Sequence, residues 1–415
     1  MHRTDTVVIG AGQAGLALSR CLSDAGRDHV VLDRGRLGER WRTERWDSLR
    51  LLTPNWMSRL PAWRYTGDDA DGFMTAGAFV RHLERYAASF VAPVREDTRV
   101  ESVAQSGDGY RVDTTGGSWS AANVVVATGV EGAVRVPDVA RGLARSIRQL
   151  PSNSYRNPDG IAAGGVLVVG SSATGVQIAD ELARSGRRVV LASSGHTRVP
   201  RRYRGRDIFW WLDRSGSFDT TIDRMPDRAA ARRAPSLQLV GRPDHARLDL
   251  GVLQERGVEV VGALRHADGT RVGFAGDLDA FVAAADRRMH RTLDGLDRLA
   301  HEEGLDASIG SPDRPPPIAV GTPRERIDLR AAGIETVVWA TGFTRSYPWL
   351  HVPVVGADGE IAHWKGVTGA PGVYVLGLRF QHYRNSNFID GVGRDAAYVA
   401  RHIVTRTSKR REVAA

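Results

Sequence analysis

Two copies of one local pattern constrain this chain more than anything else in it. The apolar run Thr6-Val7-Val8-Ile9 leads into Gly10-Ala11-Gly12-Gln13-Ala14-Gly15, and Val166-Leu167-Val168-Val169 leads into Gly170-Ser171-Ser172-Ala173-Thr174-Gly175. Each reads as strand, glycine turn and helix, and the start of each helix offers unpaired N–H groups to a pyrophosphate. The expected fold class is α/β, with two Rossmann-like dinucleotide-binding domains. Two dinucleotides held by one chain point to electron transfer between them, with a flavin reduced by a nicotinamide as the leading reading.

The surroundings of the two turns predict different coenzymes. In the first, Gly10 permits the tight turn, Gly12 admits a phosphate and Gly15 lets the helix lie close to the strand. Leu16, Ala17, Leu18, Cys21 and Leu22 then recur at helical spacing up to Gly26. The next strand, His29-Val30-Val31-Leu32, ends in Asp33, an acceptor where adenosine ribose hydroxyls need one, and Arg34 follows it. In the second unit Ser172 stands at the middle glycine position, Thr174 lies in the turn, and Gln177 lies on a helix expected over Val176 to Ser185. The strand Arg188 to Ala192 ends without a carboxylate and is followed by Ser193, Ser194, His196, Arg198, Arg201 and Arg202. Cations and hydroxyls suit a 2′-phosphate as a carboxylate suits a bare ribose, so NADPH is expected there. The alternative is that these arginines coat a surface of an arginine-rich chain.

Composition removes several function classes. Lys+Arg total 57 against 48 Asp+Glu, a formal charge of +9, and all but Lys365 and Lys409 of the basic residues are arginine. The arginines are scattered and form no aromatic-interleaved stripe, so no nucleic-acid partner is expected. No apolar run reaches the length of a membrane span, and the first strand starts within six residues of Met1, so the expectation is a cytoplasmic enzyme. Cys21 is the only cysteine, which rules out the redox pair a disulfide reductase needs. The twelve histidines show no ligand spacing, and no metal site is expected.

The organisation reads as nested. Ala76 to Phe90 has helical spacing, Arg99 to Ala104 and Tyr110 to Thr114 read as a small β-meander, and Asn123 to Val126 returns to the first sheet. Two triplets, Ala127-Thr128-Gly129 and Ala340-Thr341-Gly342, each end an apolar strand and mark the crossings between units. The predicted division is 1–150 for the first part of an FAD-binding domain, 151–330 for an inserted NADPH-binding domain and 331–415 for the returning part. A final strand, Val373 to Gly377, and a helix from about Val392 complete the first sheet.

Taken together, these residues resemble the class B flavoprotein monooxygenases, which include the flavin-containing and plant indole-3-pyruvate monooxygenases. The resemblance rests on the two glycine turns, Gly38-Glu39-Arg40-Trp41-Arg42, Leu51-Leu52-Thr53-Pro54, both Ala-Thr-Gly triplets and Gly391-Val392-Gly393-Arg394-Asp395-Ala396. It implies FAD and NADPH as cofactors, with Trp41, Arg42, Thr53 and the triplets among the residues holding them. It further implies that reduced flavin meets O₂ to give a C4a-(hydro)peroxide, which oxygenates a small organic substrate at nitrogen, sulfur or an activated carbon. One departure stands out: Pro151 occupies the place of the family's histidine in the segment before the second turn, while the aromatic survives as Tyr155. That departure argues against Baeyer–Villiger chemistry and bears on coupling.

Three residues are candidates for assisting the chemistry: Asn55, after Thr53-Pro54, Tyr155, and Asn387 in the loop before the closing helix. Turn chemistry is the competing explanation for Asn55. Trp56, Trp63, Tyr65, Phe209, Trp210 and Trp211 offer a cage for an aromatic or cationic amine, or else inter-unit packing. Two rival functions stay open at this level: an NADPH oxidase or flavin reductase without oxygen insertion, and a non-catalytic NADPH sensor. The reading allows a homodimer.

Overall fold

The computed structural model describes residues 1–129 and 132–414. Two parallel sheets dominate it. The first runs His363–Trp364, Val367–Thr368, Val373–Val375, Gly117–Val126, His2–Ile9, His29–Leu32 and Val94–Arg95, with the meander Val100–Ser106 and Gly109–Thr114 antiparallel to Gly117–Val126. From Val373–Val375 to Val94–Arg95 every pairing is parallel. The second sheet is wholly parallel, in the order Glu259–Val261, Val189–Ala192, Gly165–Val169, Ile334–Trp339 and Arg148–Pro151. All five of its strands lie in sequence between Gly117–Val126 and Val373–Val375 of the first.

Strands buried on both faces need apolar residues at every position, which explains the unbroken runs in the sequence. Val8, Val31 and Val125 pack on one face with Leu16, Leu18, Phe79 and Val399; Val7, Ile9 and Val124 pack on the other with Val112, Val373 and Val375. The second sheet repeats the arrangement, with Val166, Val168 and Leu191 against Ile178 and Leu182, and Leu167, Val190 and Trp339 on the opposite side. A further cluster joins Trp211, Tyr203 and Phe218 to Met289, Leu293 and Leu296 of the long helix Leu278–Glu302.

The two chain crossings pair with each other. Ala133–Val134 and Phe343–Thr344 form an antiparallel ribbon, and the Arg135 amide donates to Gly342 O at 2.9 Å. A Cβ on Gly132 would stand 1.8 Å from Thr344 O, so this ribbon requires glycine. The segment 41–52 also bridges the halves. Trp46 and Leu49 enter the core of the second sheet, and Asp47 N donates to Arg156 O at 2.8 Å. No helix of the described residues is long and apolar enough to cross a membrane.

Candidate functional site

Both glycine turns have the same construction. Gly10 has φ +112°, and a Cβ there would meet Ala127 O at 2.5 Å; Gly170 has φ +106°, and its Cβ would meet Ala340 O at 2.4 Å. The two Ala-Thr-Gly triplets recur because the carbonyl of each alanine closes against a glycine turn. Gly15 and Gly175 are fixed by contact too, since a Cβ would lie 1.9 and 1.8 Å from the carbonyl oxygens of Gly10 and Gly170. Gly12 differs: nothing lies within 4 Å of its Cβ position. The open space there is the cradle a phosphate needs. Ser172 takes nearly the same backbone angles (φ −74°, ψ −177°, against −83° and −172° for Gly12), a region open to any residue. Neither helix Gln13–Asp24 nor helix Ala173–Arg184 has a side-chain N-cap, so the first N–H groups of both are left for a ligand.

Both helix starts open onto one cavity of about 1060 Å³. That is at the upper end of the roughly 300–1,000 Å³ that single-ligand pockets span. Of the residues singled out from sequence, Gly10, Gly12, Gln13, Ala14, Asp33, Arg34, Trp41, Thr53, Ala127, Thr128, Gly129, Thr174, Gln177, Arg198 and Asn387 line it. Gly15, Gly170, Gly175, Ala340, Thr341 and Gly342 stand behind, shaping the turns and the crossing; the Thr341 hydroxyl donates to Arg135 O.

Asp33 accepts from Ala11 N at 2.7 Å and Gly35 N at 3.1 Å, and its burial raises the carboxyl pKa above the ordinary value. The matching position in the second unit is Ser193, whose hydroxyl meets that of Ser171 at 2.7 Å. Ser193 and Ser171 are buried, while Ser194 is exposed.

The structure does not deliver the arginine cluster that the sequence suggested for a 2′-phosphate. Arg198 is only 2 % exposed, and its guanidinium is held by Asp249, Asp286 and Pro316 O. Arg201 is 1 % exposed and forms a bidentate pair with Asp207 while donating to Leu52 O at 2.7 Å. Arg202 is exposed on a two-residue ribbon outside the cavity. His196 is fully buried with Nδ1 3.0 Å from Ser194 O, and burial lowers its pKa. Arg198 holds the fold because aspartates 51 and 88 residues away meet it, and Arg201 because a tight ribbon brings Asp207 back to it. Arg288, on the long helix Leu278–Glu302, also lines the cavity here and, unlike Arg198, is exposed; it donates to His196 O at 2.6 Å.

Other expected residues lie elsewhere. Asn55 is buried, with Nδ2 donating to Asp69 O and Oδ1 accepting from Met74 N, both at 2.8 Å; it locks the loop beside it and does not line the cavity. Tyr155 sits in the second core, and its hydroxyl donates to Glu181 at 2.6 Å; burial pushes its pKa up. Arg42 turns away to Leu37 O and Glu84. Pro151 is on the edge strand of the second sheet, where a missing N–H costs nothing. Of the aromatic group, Phe209 alone reaches the cavity; Trp211 is buried core, and Trp63 packs on Tyr86 and His82. Phe218, Phe380 and Phe388 join Phe209 on the wall. Among the described residues no group of three or more His, Cys, Asp or Glu side chains could hold a metal ion.

Comparison with known proteins agrees with this construction. Residues 7–206 match the pyridine nucleotide-disulphide oxidoreductase family. An uncharacterised CzcO-like oxidoreductase of Geobacillus kaustophilus is 30% identical over 407 residues, covering 97% of this chain and 99% of its own. The rice indole-3-pyruvate monooxygenase YUCCA1 is 30% identical over 209 residues, covering 49% of this chain and 51% of its own. The chain belongs to the family of CzcO-like oxidoreductases. A flavin-containing monooxygenase from Stenotrophomonas maltophilia shares the fold with TM-score 0.67, 21% identity and coverage of 98% of this chain and 99% of its own. A bacillithiol disulfide reductase from Staphylococcus aureus shares it too, with TM-score 0.60, 10% identity and coverage of 98% and 99%.

Proposed function

We propose that this enzyme uses NADPH to reduce FAD and inserts one atom of O₂ into a small organic molecule at nitrogen, sulfur or an activated carbon. One observation carries the reading: two phosphate-binding helix starts, on separate sheets, open onto the same cavity. The open Gly12 cradle and the uncapped helix Gln13–Asp24 fit the FAD pyrophosphate, and Asp33 fits the adenosine ribose. The uncapped helix Ala173–Arg184, with Thr174 and Gln177 on the cavity, fits the NADPH pyrophosphate. Ser194 and Arg288, with the Ser193 hydroxyl in place of a carboxylate, suit the 2′-phosphate.

When bound, the flavin supplies hydride acceptance and oxygen activation. The chain's own part is to hold both rings in one enclosure and to limit water. Phe209, Phe218 and Phe388 give an apolar wall, and Asn387 offers an amide on the same surface. We assign the FAD unit to the residues before and after the ribbon Ala133–Val134/Phe343–Thr344, and the NADPH unit to those between. What supports that division is the placement of both Arg148–Pro151 and Ile334–Trp339 in the second sheet.

The test mixes purified yellow protein with NADPH, first without oxygen and then with it, and analyses products over amines, thioethers and keto compounds. Expected are bleaching of the flavin at about 1 s⁻¹ or faster and an oxygenated product. Bleaching followed only by stoichiometric H₂O₂ would make it an oxidase, and absence of bleaching would leave a sensor.

A further inference from the structure

One wall of the cavity carries positive charge without a counter-ion. Arg232, on the short helix Arg228–Arg233, lines the cavity half-buried, and its guanidinium makes no hydrogen bond or ion pair among the described residues; its Nε is fully enclosed. Burial, with Arg228 and Arg345 nearby, pulls its pKa below the ordinary guanidinium value. Glu360 is also near, but it pairs with Arg345 at 2.6 Å. The same field and its own burial drive His363 down to about 4. On the loop 379–388 the Arg384 side chain lines the cavity while exposed to solvent, with its guanidinium 5.5 Å from the Phe380 ring centroid and no ion pair to an acid among the described residues. Arg379 ties this loop to the helix end through Ala234 O and Ser236 Oγ. The cavity's acidic side chains are Asp33 and Glu39, both at the first glycine-turn end.

Arg232 is half-buried with its Nε shut off from water, and an anion bound beside it would offset that partial desolvation. The coenzyme phosphates have their own places at the two helix starts. The Arg232 charge bears on His363, whose edge strand His363–Trp364 lies four strand spacings, roughly 19 Å, across the sheet from His2–Ile9, the strand that leads into the first glycine turn. We infer that Arg232, with Arg384, receives the carboxylate of an organic-acid substrate whose apolar body lies against Phe209, Phe218 and Phe388. This rests on the monooxygenase reading above, and it replaces a cationic amine with an anionic substrate.

The experiment titrates the FAD-loaded protein with benzoate and phenylacetate, each paired with its neutral amide, following the flavin absorbance. The acids are expected to bind at least tenfold tighter than the amides, and Arg232→Gln and Arg384→Gln to erase that preference by raising the Kd of the acids tenfold or more. Equal binding of acids and amides by the unaltered protein overturns the inference, as does a preference that survives both substitutions. If Arg232→Gln instead sheds FAD or raises the NADPH KM tenfold with acid binding intact, the anion is a coenzyme phosphate and the inference fails. Failure of the monooxygenase reading looks different: no flavin to titrate, or no bleaching by NADPH.

Discussion

The hydroxyls of Ser171 and Ser193 meet at 2.7 Å in the place where, in the first unit, the Ala11 amide meets the Asp33 carboxylate. One frame thus offers a ribose acceptor in one copy and a neutral hydroxyl in the other. Ser193→Asp would install a carboxylate within reach of the Ser171 hydroxyl and facing any 2′-phosphate. The NADPH KM should rise tenfold or more while the NADH KM falls or holds, measured as initial flavin-reduction rates. A parallel rise for both coenzymes would mean that the ribose is read elsewhere.

Arg198 tests the opposite idea, that a cation near the second fingerprint is structural. Its removal leaves Asp249 and Asp286 buried, facing one another's charge with no cation between them. Breaking such a group costs about 3–5 kcal/mol. Arg198→Gln should therefore lower the urea midpoint sharply, whereas Arg288→Gln should leave the midpoint within experimental scatter and act on the NADPH KM.

The parts of the fold legible in sequence were those written in local pattern. Both strand–turn–helix units, the meander, the helix from Ala76 and the closing helix Val392–Ala414 were expected and are found, because periodicity and glycine placement act within a few residues. The second fingerprint helix starts at Ala173, before the Val176 that apolar spacing suggests, since its first turn faces a ligand site and needs no apolar residue. What sequence could not show was which arginine meets which acid. Arg198 finds Asp286 across 88 residues and Arg201 finds Asp207 through a tight ribbon, so two expected phosphate ligands became core ion pairs. Arg232 and Arg288 gave no motif; they matter only because helices far apart in sequence turn toward one cavity.

Two glycines of the first turn should separate fold from cofactor. A methyl on Gly15 would lie 1.9 Å from Gly10 O, and backbone must move to admit it. Gly15→Ala should destabilise the protein by on the order of 3 kcal/mol, seen as a lower urea midpoint. Gly12 has an ordinary backbone angle and empty space at its Cβ. Gly12→Val should keep the stability of the apoprotein and yield colourless protein, with FAD affinity reduced a hundredfold or more. Full flavin content in Gly12→Val would move the phosphate away from this turn.

The buried Asp395 makes a prediction about pH. It sits in the first turn of the closing helix, fully buried, with neither carboxylate oxygen hydrogen-bonded, and the His382 ring nitrogen is 3.8 Å away. Ser386 sends its proton to Tyr383 O, Arg394 pairs with Asp219 and Asn385, and Tyr398 contacts the His382 ring edge-on. Burial therefore pushes the Asp395 pKa up to about 7, from an ordinary value of 3.8. Between those values the folded protein keeps a proton that the unfolded chain releases, so stability falls as pH rises from about 4 through 7 and levels off above. The loss is on the order of a few kcal/mol. His382, whose pKa is lowered by burial, works in the opposite direction below its ordinary value of 6.5, but it is common to parent and variant. Asp395→Asn keeps the shape and removes the ionisation, so it should be the more stable of the two at pH 8 and lose that advantage by pH 5. Urea unfolding of both proteins at the two pH values reads this directly. Midpoints that differ equally at pH 5 and pH 8 would show that Asp395 is ionised throughout.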